Sequence, residues 1–335
     1  MKCKFPWLAV APFSLVLLFS SHAWSHHVEK YSVMFAVCAI PGDSSPSMVM
    51  RSFTGEGKCY FLIVNLRSLA TRIVSADSAH CDAPQRLNTI RRSFATSPYV
   101  LALDSAEQRS TLVQDAGIVR GRPGRKGINL TADLCPSSLP LDRSFFNELI
   151  EKFLPEQKPI PIALAVTGNW MYDHPDDLHW LIGLADSGIF NITWINHSYN
   201  HRWCDSLPLD KNFLESKGTN LDVEVLKTER KMIENGMMPS VFFRFPGLVS
   251  DSLLFRKITA YGLIPVGTDA WLAKNQSPKD GSIVLVHANG NEPYGIRRFF
   301  GLLRNHRDGI AAGSWLLYDL RASIAAQPDS EAGSR

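Results

Sequence analysis

The chain lacks both a strong excess of charge and, beyond its first 25 residues, a long hydrophobic run. Its 35 lysines and arginines nearly balance 32 aspartates and glutamates, for a formal net charge of +3, so nothing in the charge supports a nucleic-acid partner. The later segments are too short or too polar to cross a bilayer, and no internal repeat is visible. The composition, with 45% hydrophobic and 20% charged residues, is typical of a folded protein with a sizeable core.

The first 25 residues have the pattern of a secretory signal peptide. Lys2 and Lys4 precede an apolar stretch over 7–19, and Ala23 and Ser25 offer small residues for cleavage. The apolar stretch is short for a bilayer span, which favours cleavage over a retained anchor. Cleavage would lower the formal charge from +3 to +1. We therefore predict an exported protein, periplasmic or secreted, with no stable membrane span.

Cysteine is scarce, with six in the chain. Cys3 leaves with the leader, and the odd number that remains requires at least one thiol to be free or to pair between chains. Export makes disulfides possible. Cys135 and Cys204 each lie within a few residues of a candidate catalytic segment, and a bridge between them would join two active-site loops. We favour this disulfide over two buried free thiols.

Residues 26–120 have the pattern of a small β-rich N-terminal module, to which no role is assigned. Short strand patterns separated by turns are predicted at 31–38, 59–66, 99–103 and 111–114. The basic, Gly-rich stretch 121–127 is predicted to be an exposed linker, with a sugar-acid or phosphate contact as the less favoured alternative.

From 128 to 320 the pattern changes to apolar strands alternating with amphipathic helices. Strands are predicted at 128–133, 160–167, 192–196, 241–245, 263–268 and 283–287, and helices at 143–153, 177–187, 222–235, 251–261 and 297–307. Such alternation predicts an α/β fold with a parallel sheet, open or closed as a barrel. The remaining 321–335 are predicted to form a polar tail, and we expect disorder from 327.

Unusual polar residues fall at the same end of successive predicted strands. His197 and His201 follow the third strand, and their four-residue spacing would place both rings on one face of a helical turn, close enough to share one metal ion. Asp133 ends the first strand and His287 the sixth. In a parallel sheet this edge is where side chains from separate strands converge on one pocket.

Five short motifs in order resemble the polysaccharide deacetylase (NodB-homology) family, whose fold is an irregular (β/α) barrel. The family shows T-F-D-D-G-P, H-S/T-x-x-H, R-x-P, a D-x-x-D-W-like segment and L-x-H. The corresponding segments here are TADLCP at 131–136, HSYNH at 197–201, RFPG at 244–247, TDAW at 268–271 and LVH at 285–287. Each motif is weak alone, whereas five in order form a strong signal.

The resemblance implies roles for four of these residues. Asp133 matches the general base, which would take a proton from a metal-bound water. His197 and His201 match the metal ligands, and their imidazoles suit a divalent transition metal, with zinc expected. Arg244 matches the arginine that pairs with the catalytic carboxylate and tunes its pKa. Without such a partner, an arginine between two phenylalanines would be costly to bury.

The later motifs supply the acid and the pocket wall. By resemblance His287 is the general acid that protonates the leaving group, and Asp269 orients it and favours its charged form. Trp271 and Pro246 are expected to line the substrate pocket, Trp271 as a ring on which a sugar could stack, with core packing as the alternative.

One position departs from the family pattern. The second aspartate of the first motif, normally a metal ligand, is Leu134 here, and leucine cannot bind a metal. The ligand shell of the metal would then be completed by Asp133, by a substitute such as Asp205 or by water. The alternative is that metal-dependent activity has been lost.

These inferences predict an exported metal-dependent hydrolase that removes acetyl groups from an N-acetylated, or O-acetylated, polysaccharide or cell-wall glycan. Two alternatives stay open at this stage. One is a non-catalytic carbohydrate-binding relative with an incomplete metal site, and the other is a metal-dependent amidase acting on a small non-sugar amide.

Overall fold

The computed structural model describes residues 27–326. The predicted signal peptide and the tail from 327 lie outside the described residues. Within them, none of the helices combines the length and the apolar character that a membrane span requires.

The N-terminal module is built on an antiparallel five-stranded sheet with the order β4-β3-β2-β1-β5. The strands are β1 Glu29–Ala39, β2 Ser47–Gly55, β3 Lys58–Asn65, β4 Thr71–Ser75 and β5 His80–Cys81, followed by helices α1 Leu87–Ser93 and α2 Pro98–Glu107. The predicted β-rich module is thus present.

Two strands predicted in this module are wrong. Residues 99–103 lie in α2, and 111–114 form turns with a single bridge from Gln114 to Val249. Helix α2 begins with Ser97 as its N-cap, whose hydroxyl accepts from the Val100 amide, and with a proline in its first turn. Both are helix-start signals, and they outweigh the β-branched and aromatic residues that suggested a strand.

The second part contains a parallel sheet with the order β10-β9-β8-β7-β6-β12-β11, with β13 paired to the start of β6. The strands are β6 Gly127–Leu134, β7 Ile160–Val166, β8 Phe190–Asn196, β9 Pro239–Phe243, β10 Ile264–Pro265, β11 Ala270–Trp271, β12 Ile283–His287 and β13 Leu316–Leu317. The helices are α3 Arg143–Phe153, α4 Gly168–Asp173, α5 Pro175–Asp186, α6 Thr228–Glu234, α7 Ser252–Ala260, α8 Pro293–Asn305, α9 Arg307–Ala311 and α10 Leu320–Ala325.

An irregular segment, 118–121, closes this sheet into a barrel. On one side, the Ile118 amide donates to Pro265 O at 3.0 Å and Ile118 O accepts from Gly267 N at 2.8 Å. On the other, Val119 O accepts from Ile283 N at 3.2 Å. The segment therefore lies between β10 and β12, and the predicted fold class, an irregular α/β barrel with a β-rich module, is confirmed.

The two parts share one hydrophobic core. Phe35 and Met48 of the N-terminal sheet pack in the same buried cluster as Val241 and Phe255 of the barrel. Helix α10 also joins this cluster through Leu320, so the chain stays ordered into the region predicted to be a polar tail. Apolar burial across this boundary stabilises the two parts as one body.

Candidate active site

The site lies at the carboxyl edge of the parallel sheet, where β6 and β12 end side by side. Asp133 and His287 are direct neighbours in the register of these strands, so their side chains share a face. His197 follows β8, and its amide donates to Val166 O at the end of β7. The predicted convergence of polar side chains at one edge is therefore observed.

Asp133 is buried and held by Arg244, which is also fully buried. The guanidinium donates from Nη1 to Asp133 Oδ1 and to Thr131 Oγ1, both at 2.7 Å, and from Nη2 to Gly267 O at 3.1 Å. Burial would raise the pKa of the Asp133 carboxyl, but the charge of Arg244, helped by His197 and His287, holds that pKa below its usual value. The carboxylate is thus ionised, as a base must be.

The two imidazoles of the HSYNH motif lie together, with ring centroids 4.9 Å apart. His197 Nδ1 is 2.9 Å from Arg244 O. A proton on Nδ1 would donate to that carbonyl, which leaves Nε2 unprotonated and directed at the site. His201 packs against Phe213, and its Nε2 is buried without a hydrogen-bond partner among residues 27–326.

The predicted helical turn at this motif is wrong. Residues 197–201 form an irregular loop in which Ser198 and His201 have φ values of 71° and 49°. Buried Glu224 fixes the loop by accepting from the Tyr199 and Asn200 amides, both at 2.9 Å. The rings therefore meet through a loop pinned by a distant carboxylate, rather than through helical spacing.

Cys135 completes a cluster with these histidines. Its Sγ is 3.5 Å from His197 Nε2, and one donor atom from each of Cys135, His197 and His201 lies within 4.8 Å of the others. Side chains alternate along β6, so Asp133 and Cys135 face the site, whereas Leu134 packs in the core behind it. These three residues could hold a metal ion. Burial would raise the pKa of the Cys135 thiol, but the three nearby imidazoles bring it well below its usual value.

The predicted Cys135–Cys204 disulfide is wrong. Within the described residues the bridge joins Cys38 to Cys81, on paired strands β1 and β5, and Cys59, Cys135 and Cys204 are free. Proximity in sequence to catalytic motifs says nothing about the sulfur-to-sulfur distance, which depends on how the loops fold. The predicted substitute ligand Asp205 is also engaged elsewhere, since its Oδ1 accepts from the Trp203 indole at 2.6 Å.

His287 lies beside Cys135 of this cluster and is paired with Glu292 rather than with Asp269. Its Nδ1 is 2.8 Å from Glu292 Oε2, while Asp269 pairs with Arg120 of the barrel-closing segment at 2.5 Å. The predicted orienting role of Asp269 is thus wrong, because the residue faces the closing segment. Burial would lower the pKa of His287, but Cys135 and then Glu292 raise it well above its usual value.

A cavity of about 500 Å³ joins these groups. Its wall includes the side chains Asp133, Cys135, His197, His201, Trp203, Trp271, His287 and Glu292. Pro246 is buried and does not line it, although the following Gly247 and Leu248 do. Arg244 likewise acts from behind the wall, through Asp133.

Trp271 lies in the wall but has little free surface. It is 8% exposed, Lys274 Nζ lies 3.7 Å from its ring centroid, and its indole donates to Glu292 at 2.8 Å. Trp203, in contrast, is 54% exposed at the mouth of the cavity. The surface open to a sugar ring therefore belongs to Trp203, which the motif comparison did not select.

Sequence reasoning missed Glu292 and Trp203 as functional candidates, and it assigned Cys135 to a disulfide rather than to the metal cluster. The alternation of β6 could have identified Cys135, because a residue two positions after Asp133 must share its face. Glu292 and Trp203 lie in loops after β12 and β8, and nothing in their spacing indicates where their side chains point. The positions of these two side chains are therefore visible only in the structure.

No family model matches the chain. Solved structures similar to it include a family 4 carbohydrate esterase from Bacillus anthracis, at 19% identity and a TM-score of 0.45, covering 67% of this chain and 91% of that one. A peptidoglycan deacetylase from Bacillus subtilis matches at 15% identity and a TM-score of 0.39, covering 59% of this chain and 89% of that one. A CE4 family pseudoenzyme from Bacillus anthracis matches at 17% identity and a TM-score of 0.42, covering 63% of this chain and 69% of that one. Likeness at this level leaves the function to be argued from the site itself.

Proposed function

We propose that the protein is an exported metal-dependent hydrolase that removes acetyl groups from an N-acetylated, or O-acetylated, glycan. The observation that carries the proposal is the meeting of an ionised carboxylate, a pair of imidazoles and a third imidazole around one cavity. A protein that only binds sugar has no need of a separate base and acid in its cleft.

The metal would be held by His197 and His201, whose side chains line the cavity. A divalent ion bound there would supply a Lewis acid for the acetyl carbonyl and would activate water as the nucleophile. This is consistent with the buried, unpartnered Nε2 of His201 in the described part of the chain. Such a buried atom without a partner is costly in a native fold, and a bound ion at this position would satisfy it.

Asp133 is placed to act as the base. Arg244 occupies Oδ1, so Oδ2 is the oxygen available to accept a proton, and it lies 3.6 Å from His197 Nε2. The proton accepted there is close to the atoms that would bind the metal. Arg244 keeps the carboxylate charged before each turnover, and the backbone carbonyl of Gly267 holds the guanidinium in place.

His287 is placed to act as the acid. Glu292 faces its Nδ1, which leaves Nε2 to donate a proton to the departing amine or alcohol. The raised pKa keeps the ring charged near neutral pH, the state from which it can donate. The proposed base and acid thus lie on neighbouring strands and line the same cavity.

A glycan substrate is supported by the open face of Trp203 at the cavity mouth, since sugar rings stack on exposed aromatic faces. Export is supported by the leader pattern and by the Cys38–Cys81 bridge, because disulfides persist in oxidising compartments. These features favour a periplasmic or secreted enzyme acting on an acetylated polysaccharide or cell-wall glycan.

Metal analysis combined with a product screen tests the proposal. Protein purified without chelators is expected to contain about one equivalent of a divalent metal and to release acetate from N-acetylated chito-oligosaccharides or O-acetylated xylan. Glycan binding with no acetate release would identify a non-catalytic binder instead. Ammonia or another amine released from small amides, with no acetate from glycans, would identify an amidase.

A further inference from the structure

We infer that Cys135 supplies a thiolate as the third protein ligand of the metal, so that the site prefers a thiophilic cation such as zinc over hard cations such as magnesium. This inference rests on the proposed metal dependence. It explains how a chain with Leu134 in place of a carboxylate ligand can still hold a cation.

The distances fit a single tetrahedral ion. Zinc binds sulfur at roughly 2.3 Å and imidazole nitrogen at roughly 2.05 Å, so a tetrahedral S–N edge is about 3.6 Å long. The distance from Cys135 Sγ to His197 Nε2 is 3.5 Å. A ring nitrogen of His201 lies within 4.8 Å of a donor atom of Cys135 and of His197, so a small movement of its loop would close the shell.

The other candidate ligands are occupied or face away. Leu134 is fully buried among core residues on the opposite side of β6, and Asp205 accepts from the Trp203 indole. Asp133 is held by Arg244 through Oδ1, and its free Oδ2 is the oxygen assigned to the base. A thiolate from Cys135 provides the negative charge that a carboxylate ligand would otherwise bring, and it leaves Asp133 available as the base.

The ligand type determines which metal is held. Thiolate and imidazole together favour zinc and cobalt, whereas carboxylates and water suit magnesium and manganese. Three protein ligands with a position open to the cavity are typical of catalytic zinc sites, and closed four-ligand sites are typical of structural ones. Because Cys135 lines the cavity, the fourth position faces the substrate side.

Cobalt substitution gives a readout that does not depend on activity. The protein loaded with one equivalent of Co²⁺ is expected to show a thiolate-to-cobalt charge-transfer band in the near ultraviolet, beside the ligand-field bands of a tetrahedral ion. Cys135→Ser is expected to lose the charge-transfer band and at least about 100-fold in zinc affinity, since even hydrogen-bond partners of ligands are worth roughly 10–100-fold. Cys204→Ser, which removes an exposed thiol from the neighbouring loop, is the matched control and should keep both.

Alkylation with iodoacetamide gives a second readout. Zinc is expected to protect Cys135, while the exposed Cys59 and Cys204 react equally with and without zinc. Cys135→Asp should fold, lose the charge-transfer band and shift the metal preference towards manganese and magnesium.

The outcomes separate this inference from the proposed function. Two results would contradict the thiolate ligand: cobalt binding with ligand-field bands but no charge-transfer band, and unchanged zinc affinity in Cys135→Ser. Neither result would contradict the proposed metal-dependent hydrolase. A charge-transfer band that Cys135→Ser removes supports the inference, even if the protein releases no acetate and the hydrolase is wrong.

Discussion

At the scale of single residues, the carboxylate partner of His287 and the exposed aromatic residue of the cavity both differ from what the motifs imply. Asp133, Arg244, His197, His201 and His287 could be placed from sequence because they end strands or follow them, and strand ends of a parallel sheet converge. Strand alternation could also have placed Cys135 beside them, two positions after Asp133. Glu292 could not be placed, since it lies in a loop whose sequence does not show where its side chain points.

The charge of His287 should depend on Glu292. In Glu292→Gln the nearby negative charge is lost, so the pKa of His287 falls. The alkaline limb of the kcat/KM profile, where the acid loses its proton, should then move to lower pH. Asp269→Asn is the matched control, because that carboxylate contacts Arg120 and should leave the limb in place. An unmoved limb in Glu292→Gln would show that His287 is not the acid or is not tuned by this residue.

Substrate binding should depend on Trp203. Trp203→Ala is expected to raise KM for an acetylated oligosaccharide about fivefold, with kcat little changed, because a stacking face worth about 1 kcal/mol is lost. Tyr172→Ala serves for comparison, since Tyr172 is 74% exposed but lies outside the cavity wall. Equal KM values for the two variants would remove Trp203 from the substrate site.

At the scale of elements, periodicity predicts the barrel well and the N-terminal module less well. Helix 143–153 and strand 283–287 match α3 and β12 residue for residue, because long amphipathic or apolar runs give a clear period. Strands β2 and β4 were not predicted, and α2 was assigned as a strand. The closing segment 118–121 has no regular period, and only its hydrogen bonds reveal its place between β10 and β12.

Closure of the barrel should depend on Gly117. Its φ is +96°, and a Cβ there would lie 2.3 Å from Pro265 O. Gly117→Ala is therefore expected to lower the free energy of unfolding by about 2 kcal/mol, from strain and displacement of the closing segment. Gly124→Ala adds its Cβ to open space and should change stability by less than about 0.5 kcal/mol. Equal values from urea titration would contradict this description of the closure.

At the scale of the whole molecule, a buried ion pair joins the N-terminal sheet to the barrel. Arg51 on β2 donates to Glu229 on α6 from Nε at 2.7 Å and from Nη2 at 2.9 Å, and both side chains are almost fully buried. Neither residue belongs to a motif, and sequence alone gives no signal for a pair 178 residues apart. The pair and the shared core explain why the module and the barrel should unfold together.

Removal of one partner should destabilise the whole chain. Glu229→Gln leaves the Arg51 charge buried without its counterion and is expected to cost about 3–5 kcal/mol. Unfolding should remain a single transition when followed by denaturant titration. Asp308→Asn, in the exposed pair with Arg307, is the control and should have little effect. A separate early transition of the N-terminal module would contradict the shared core.

Acetate release by Asp133→Asn is the most direct test of the central claim, that a carboxylate held by Arg244 acts as base beside the bound metal. The variant keeps the shape of the side chain, so it should bind zinc and retain the wild-type circular dichroism spectrum. Its acetate release from the best glycan substrate should fall about 1,000-fold, the contribution of a well-placed base. Acetate release at the wild-type rate from the folded, zinc-loaded variant would contradict the account.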